Sequence, residues 1–330
     1  MTETLASRAS SRPTLAELRH LLPVETWVAG LTALLWIVLG FATPVFWSAG
    51  NVTNVLRQVS ILAVIAFGEL FSIILAGIDL SVGSVARLAG IVFAMLLANG
   101  VPIVLAAAAA LGVGVVIGIV NGLANVRLGI PAFIVTLAGL QGFRGLALLL
   151  SGGMTISGMP AALRIVADTT ILDIPTLFVV MAVIGFASHF VLSRTRIGRY
   201  MYAFGSSPEA ASRVGINVTT VVVVAYAVSA GFAAIGGMLL VSRLSMGTPT
   251  AAGGYELQAI AAAVVGGASL FGGRGTIAGC FIGALLFTTL GNGANLLGVD
   301  PFWEMVIEGL LIAAVVYLDN IQKQRQAGLR

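Results

Sequence analysis

The passage Asn121-Gly122-Leu123-Ala124-Asn125-Val126-Arg127-Leu128-Gly129-Ile130-Pro131 is answered about 171 positions later by Asn292-Gly293-Ala294-Asn295-Leu296-Leu297-Gly298-Val299-Asp300-Pro301, with one gap. A second pair stands in the same order, about 165 positions apart: Asp79-Leu80-Ser81-Val82-Gly83-Ser84 and Arg243-Leu244-Ser245-Met246-Gly247-Thr248. Each member follows an apolar segment, and the second member lies about five segments further on. An odd offset turns the second copy upside down. This is the sign of an inverted-topology repeat, with a pseudo-two-fold axis in the membrane plane.

The apolar segments fit that plan. A membrane-spanning helix takes about 20 mostly apolar residues, and the template fits about ten times: at 27–47, 57–78, 84–99, 101–122, 131–150, 174–192, 220–242, 257–270, 276–297 and 302–319. The third and eighth are short or interrupted by glycine. Breaks at Gly77, Gly83, 100–102, 129–131 and Pro301 mark the joints. The expected fold is all-α and polytopic, with two halves of about five helices each. Residues 1–26 form an N-terminal tail, 27–319 one membrane domain, and 320–330 a second tail.

Composition points the same way. Of 330 residues 58% are apolar and 9% charged, with mean hydropathy +1.06. A soluble domain carries roughly 25% charged residues. This chain has too few charges to cover a water-facing surface, so bilayer lipid is its solvent. The single Cys280 lies in an apolar stretch and excludes an intrachain disulfide.

The net charge of +4 is explained by orientation rather than by nucleic acid. With the N-terminus inside, the inner side receives Arg8, Arg12, Arg19, Arg87, Arg127, Arg194, Arg196, Arg199, Arg213, Arg274, Lys323, Arg325 and Arg330. Arg57, Arg144, Arg164 and Arg243 remain outside or within spans, and Asp168, Asp173, Asp300 and Glu304 fall near the outer face. Both termini are expected inside. Thr14-Leu15-Ala16-Glu17 resembles a capping box, with Leu15, Leu18, Leu21 and Leu22 on one face. A short interfacial helix and a disordered tail both fit this segment.

The loop at 193–219 is the longest basic one. Within it, Pro208-Glu209-Ala210-Ala211-Ser212-Arg213-Val214-Gly215 reads as a short capped helix. Ser207 is a natural N-cap and Pro208 fits the first helical position. Glu209 sits where the helix dipole favours an anion, and Gly215 ends the turn. Two alanines offer a face for close approach by another protein.

Polar residues at membrane depth are the remaining signals. Glu69, Arg87, Arg144, His189 and Glu308 fall within or at the ends of spans, where a charge costs at least ~2.5 kcal/mol. Arg87 is expected one turn from the inner face, able to snorkel. Glu69 and Arg144 are candidates for a polar lining or an internal ion pair, and a proton relay through Glu69 or Glu308 is the alternative. Asp79 and Ser81 can cap the next helix, with Gly83 as a bend; the segment reads as a structural turn or as a gate. The run at 266–275 lacks the lysine of a phosphate loop. No metal-ligand cluster and no nucleophile–base pair is visible, so no catalytic residue and no cofactor is assigned to this chain.

These passages together resemble the ribose/xylose/galactoside-type permeases of the ATP-binding-cassette superfamily. The stretches carrying the resemblance are Gly77-Ile78-Asp79-Leu80-Ser81-Val82-Gly83-Ser84, Asn121-Gly122, Thr195-Arg196-Ile197-Gly198-Arg199-Tyr200 with Pro208 to Ile216, and Gly253-Gly254-Tyr255-Glu256-Leu257-Gln258-Ala259-Ile260-Ala261-Ala262. Glu209, Ala210, Ala211 and Gly215 match the family's ATPase-docking loop. The resemblance implies a fold similar to the vitamin B12 importer permease. It also implies a second permease copy, identical or related, separate ATPase subunits that hold ATP and Mg, and a periplasmic or extracellular sugar-binding protein. The location implied is the bacterial inner membrane. Glu69 and Arg87 depart from the family pattern.

The expected function is that of a permease subunit for a monosaccharide such as ribose, working by alternating access without chemistry of its own. Pro208, Glu209, Ala210, Ala211, Ser212, Arg213 and Gly215 would carry coupling. Asp79, Ser81, Gly83, Asn121, Asn292, Glu69 and Arg144 would gate or line the path. A self-sufficient ion-coupled carrier is the competing expectation.

Overall fold

The computed structural model describes residues 24–300 together with 302, 303, 305–307, 309, 310, 313 and 317. The expectations for the N-terminal tail, Pro301, Glu304, Glu308 and the C-terminal basic residues fall outside the described residues.

The chain is built almost wholly of helices. In order they are α1 (Val24–Ala42), α2 (Ala49–Ile74), α3 (Val82–Ala98), α4 (Ile103–Arg127), α5 (Ala132–Ser151) and α6 (Ala161–Asp168). A minimal hairpin, β1 (Thr170–Ile171) and β2 (Ile174–Pro175), follows. Then come α7 (Thr176–Arg194), α8 (Arg196–Ser206), α9 (Pro208–Arg213), α10 (Val218–Leu244), α11 (Tyr255–Val265) and α12 (Ile277–Leu296). The hairpin turns through Leu172 and Asp173, both at positive φ, as a two-residue turn between antiparallel strands requires.

Seven of these, α1, α2, α4, α5, α7, α10 and α12, are long and apolar enough to cross a membrane. The protein is therefore a multi-pass membrane protein. The expected third and eighth spans appear as α3 and α11, apolar but shorter. At 1.5 Å per residue they reach only about 25 and 16 Å, less than the ~30 Å of a hydrocarbon core.

Helix α2 is the central pillar. Its apolar window is 89% buried, against 17% for α1 and α5, which lie at the periphery. Helix α10 packs along it and along α4. On α4, Gly114, Gly118 and Gly122 recur every fourth residue and so share one face. A Cβ at these positions would meet the backbone of α10 at Ala230, Tyr226 and Val223. Small residues thus bring the two helices into backbone contact, which is how helices gain packing energy in lipid.

Contacts fix the relative directions. Gly273 N–H bonds the Ile74 carbonyl at 2.9 Å, and Gly205 of α8 sits against the same carbonyl. The end of α2, the 266–275 loop, α8 and α9 therefore share one face, the α9 face. Helix α10 starts there at Asn217 and runs to the far face at Leu244. Arg87 donates from Nε to the Ala251 carbonyl at 3.0 Å, in the segment that follows α10. It thus lies toward the far face, not one turn from the α9 face as the basic-residue count suggested.

Candidate functional site

The link between α2 and α3 holds the densest polar cluster. Helix α2 stops at Ile74, and Ala76 takes a positive φ of 59°. The chain turns back into the protein at residues 77–81. Asp79, fully buried, organises the turn: its Oδ1 accepts from Ser81 N at 3.0 Å and from Ser81 Oγ at 2.6 Å. Its Oδ2 accepts from Ser229 Oγ at 3.1 Å. Asn121 Nδ2 donates to Ser81 Oγ at 3.1 Å, and Thr136 Oγ1 donates to the Ile78 carbonyl at 3.0 Å. Side chains from α4, α5 and α10 thus tie the break in place.

Glu69 comes from α2. Its Oε1 accepts from Asp79 N and from Ser72 Oγ, both at 3.0 Å. Its Oε2 and the phenol oxygen of Tyr226 are buried without a hydrogen-bond partner among the described residues. The phenol oxygen stands over Gly77, where a Cβ would meet it. Ser229 lies 11 residues into α10, about 16 Å along it, so the cluster sits near mid-depth.

Several expectations change here. Ser81 does not cap α3 with its side chain, because that hydroxyl is committed to Asp79. Gly83 makes no positive-φ bend; it lies in the first turn of α3 and has no side chain because the Glu256 carboxylate and Ala252 carbonyl press on it. Arg144 is exposed on α5, and neither it nor Glu69 has an ion pair among the described residues. Of the passage 243–248, paired in sequence with 79–84, only Arg243 and Leu244 belong to α10; Ser245 takes a positive φ of 53° and Gly247 pairs with Ile156, so the passage opens the break that precedes α11.

Gly83 against Glu256 brings the starts of α3 and α11 together. From that meeting point α3 runs to the far face and α11 to the α9 face. Arg87, one turn into α3, reaches across to the break before α11, where its Nε donates to the Ala251 carbonyl. Asn292 is elsewhere than Asn121: it exchanges hydrogen bonds with Asn51, at 3.1 and 2.8 Å. Ser72, Tyr226, Ser229, Asn51 and Glu256 were missed by the sequence reading. Their signal was faint, since a lone hydroxyl or amide in a span finds its partner only in three dimensions.

At the α9 face, Thr195 Oγ1 accepts from Gly198 N at 3.3 Å and starts α8. Tyr202 Oη donates to the Gly275 carbonyl at 2.7 Å. Ser207 Oγ accepts from Ala210 N at 3.3 Å, and Pro208 holds the first turn of α9. Gly215 closes it at φ 83°, with Ile216 N–H on the Ala211 carbonyl at 3.1 Å. Ala211 is the one buried residue of this helix; Pro208, Glu209, Ala210, Ser212 and Arg213 are exposed, with Val214 beside them.

A family described as "Branched-chain amino acid transport system / permease component" matches residues 51–316. The chain belongs to this family. The permease is 37% identical to the ribose import permease of Haemophilus influenzae over 306 residues, covering 92% of this chain and 94% of that one. It is 40% identical to the ribose import permease of Bacillus subtilis over 289 residues, 87% and 90% of the two. The D-allose transport system permease of Escherichia coli is 34% identical over 293 residues, 88% and 90%. No solved structure matches the permease.

Proposed function

We propose that the chain is the membrane subunit of an ATP-driven importer for a monosaccharide, with ATP and Mg held and hydrolysed by separate ATPase subunits. A second permease copy and a sugar-binding protein on the far face complete the assembly, in a bacterial inner membrane with both termini on the cytoplasmic side. The relatives that carry ribose and D-allose in their names support the substrate class. The family match supports the division of labour.

The observation that carries the mechanism is the connected path from α9 to the break. Helix α9 follows α8 directly, Gly205 of α8 rests on the Ile74 carbonyl, and Ile74 ends α2 just before the residues that Asp79 clamps. Displacement of α9 by a closing ATPase would move α8 as a lever and transmit force to the break. The short helices α3 and α11 meet there, so their rearrangement would close one side of the path and open the other.

The long–short–long order of α2–α3–α4 and of α10–α11–α12 supports the inverted repeat, with Asn121 and Asn292 late in the third helix of each. The apolar segment expected from the sequence near 302–319, added to the seven long helices and the two short ones, would bring the spans and half-spans to about ten, in a fold like that of vitamin B12 importer permeases.

Glu209→Lys tests the lever. It reverses the charge at the exposed start of α9 without touching the core. The expected result is normal insertion with at least tenfold less ATP-driven uptake; uptake and substrate-stimulated ATP turnover at the wild-type level would refute the assignment.

A further inference from the structure

A cleft of about 370 Å³ opens between α2, α11 and α12. It lies within the range of about 300–1,000 Å³ for small-molecule sites. Asn54, Gln58 and Leu62 form one stripe of α2, spaced by four residues. Thr288, Gly291, Asn292 and Asn295 form a stripe of α12, and Tyr255 and Gln258 come from the first turn of α11. Asn54 lies near the far-face start of α2, and Leu62 is about 12 Å deeper. Tyr255 and Gln258 flank Glu256, so the floor of the cleft abuts the meeting point of α3 and α11.

The lining contains many amides and no Asp, Glu, Lys or Arg. Two of the amides are held in place from behind. Arg243 Nη2 donates to Asn54 Oδ1 at 3.1 Å. Both N–H groups of Asn54 then have no partner among the described residues. Asn51 exchanges two hydrogen bonds with Asn292 and also donates to the Phe46 carbonyl at 2.9 Å, which anchors the pair. An amide has two donors and two lone pairs, so Asn292 retains one N–H and one acceptor site. Such fixed valences lower the ordering cost of binding a hydroxylated ligand. A zwitterion such as leucine would enter with two charges and find no counter-ion, at a high desolvation cost.

We propose that this amide-lined cleft is the transit site for a neutral polyhydroxylated solute, entered from the far face and reading its hydroxyls through Asn54, Gln58, Asn292 and Asn295. The proposal rests on the importer reading and adds to it a place and the side chains that read the ligand. Tyr255 and Phe287 supply ring faces for the apolar side of a sugar ring, and the floor at α3 and α11 places the solute where the lever acts.

The test uses the assembled transporter, with its ATPase and binding protein, in sealed vesicles. Uptake is measured for D-ribose, D-allose, the 2-deoxy analogue of each, and leucine. The double variant Gln58→Ala/Asn295→Ala removes two lining amides that have no hydrogen bond to another described residue; Asn99→Ala, outside the cleft, is the control. With two neutral hydrogen bonds to the solute removed, kcat/KM for the transported sugar should fall about tenfold in the double variant. Its preference over the 2-deoxy analogue should shrink as well, a change that a general folding defect would not produce. Wild-type uptake by the double variant, or an equal fall for both sugars, overturns the site and leaves the importer reading standing. Wild-type vesicles that carry leucine and neither sugar overturn the importer reading and the ligand class together.

Discussion

Glu69 shows how one side chain can hold a break in a membrane helix. Its Oε1 accepts from the Asp79 N–H, a buried donor beyond the end of α2. Glu69→Leu leaves that donor unsatisfied, at about 1–3 kcal/mol, while Ser72 keeps its bond to the residue-69 carbonyl. Glu69→Gln keeps a carbonyl oxygen in place. Thermal unfolding of the purified variants in detergent should therefore show a clear drop for leucine and a melting temperature near wild type for glutamine; equal drops would remove the capping role. The sequence exposes Glu69 as a charge in a span and Asp79 as a turn former, but not their contact, which spans ten residues and depends on how the chain re-enters the bundle. Gly83 teaches the same lesson. Its absence of a side chain was legible, but the cause was a neighbour, Glu256, that only tertiary structure supplies.

At the scale of elements, hydropathy reveals the long helices because burial in lipid selects for apolar runs. The cap of α9, Ser207, was named from sequence; Ser48, Thr195 and Asn217, which cap α2, α8 and α10 in the same way, were not. The short helices α3 and α11 are harder, since their apolar runs continue into the breaks that define them. Sidedness failed at Arg87 for a related reason: a charge count assumes full spans, and α3 starts at mid-depth. The glycine face of α4 gives a test at this scale. Gly118→Leu should force α4 away from the Tyr226 and Ala227 backbone and destabilise the protein strongly. Gly112→Leu on the same helix, with open space around it, should be tolerated. Folded yield by size-exclusion chromatography separates the two; matching yields would deny the close packing.

At the scale of the whole molecule, the importer we propose is a conduit driven by separate ATPase subunits. A polar cleft on one face ends at two half-length helices, and the exposed helix α9 on the other face, the lever we propose, connects to the same break through α8 and Ile74. An ion-coupled carrier would share the broken helices but would not need the lever. The deciding measurement is monosaccharide uptake into vesicles holding this chain, with and without its ATPase and binding protein, under ATP or under an imposed proton or sodium gradient. Uptake that appears only when ATP and both partners are present is the predicted result. Gradient-driven uptake by the chain alone would contradict the account.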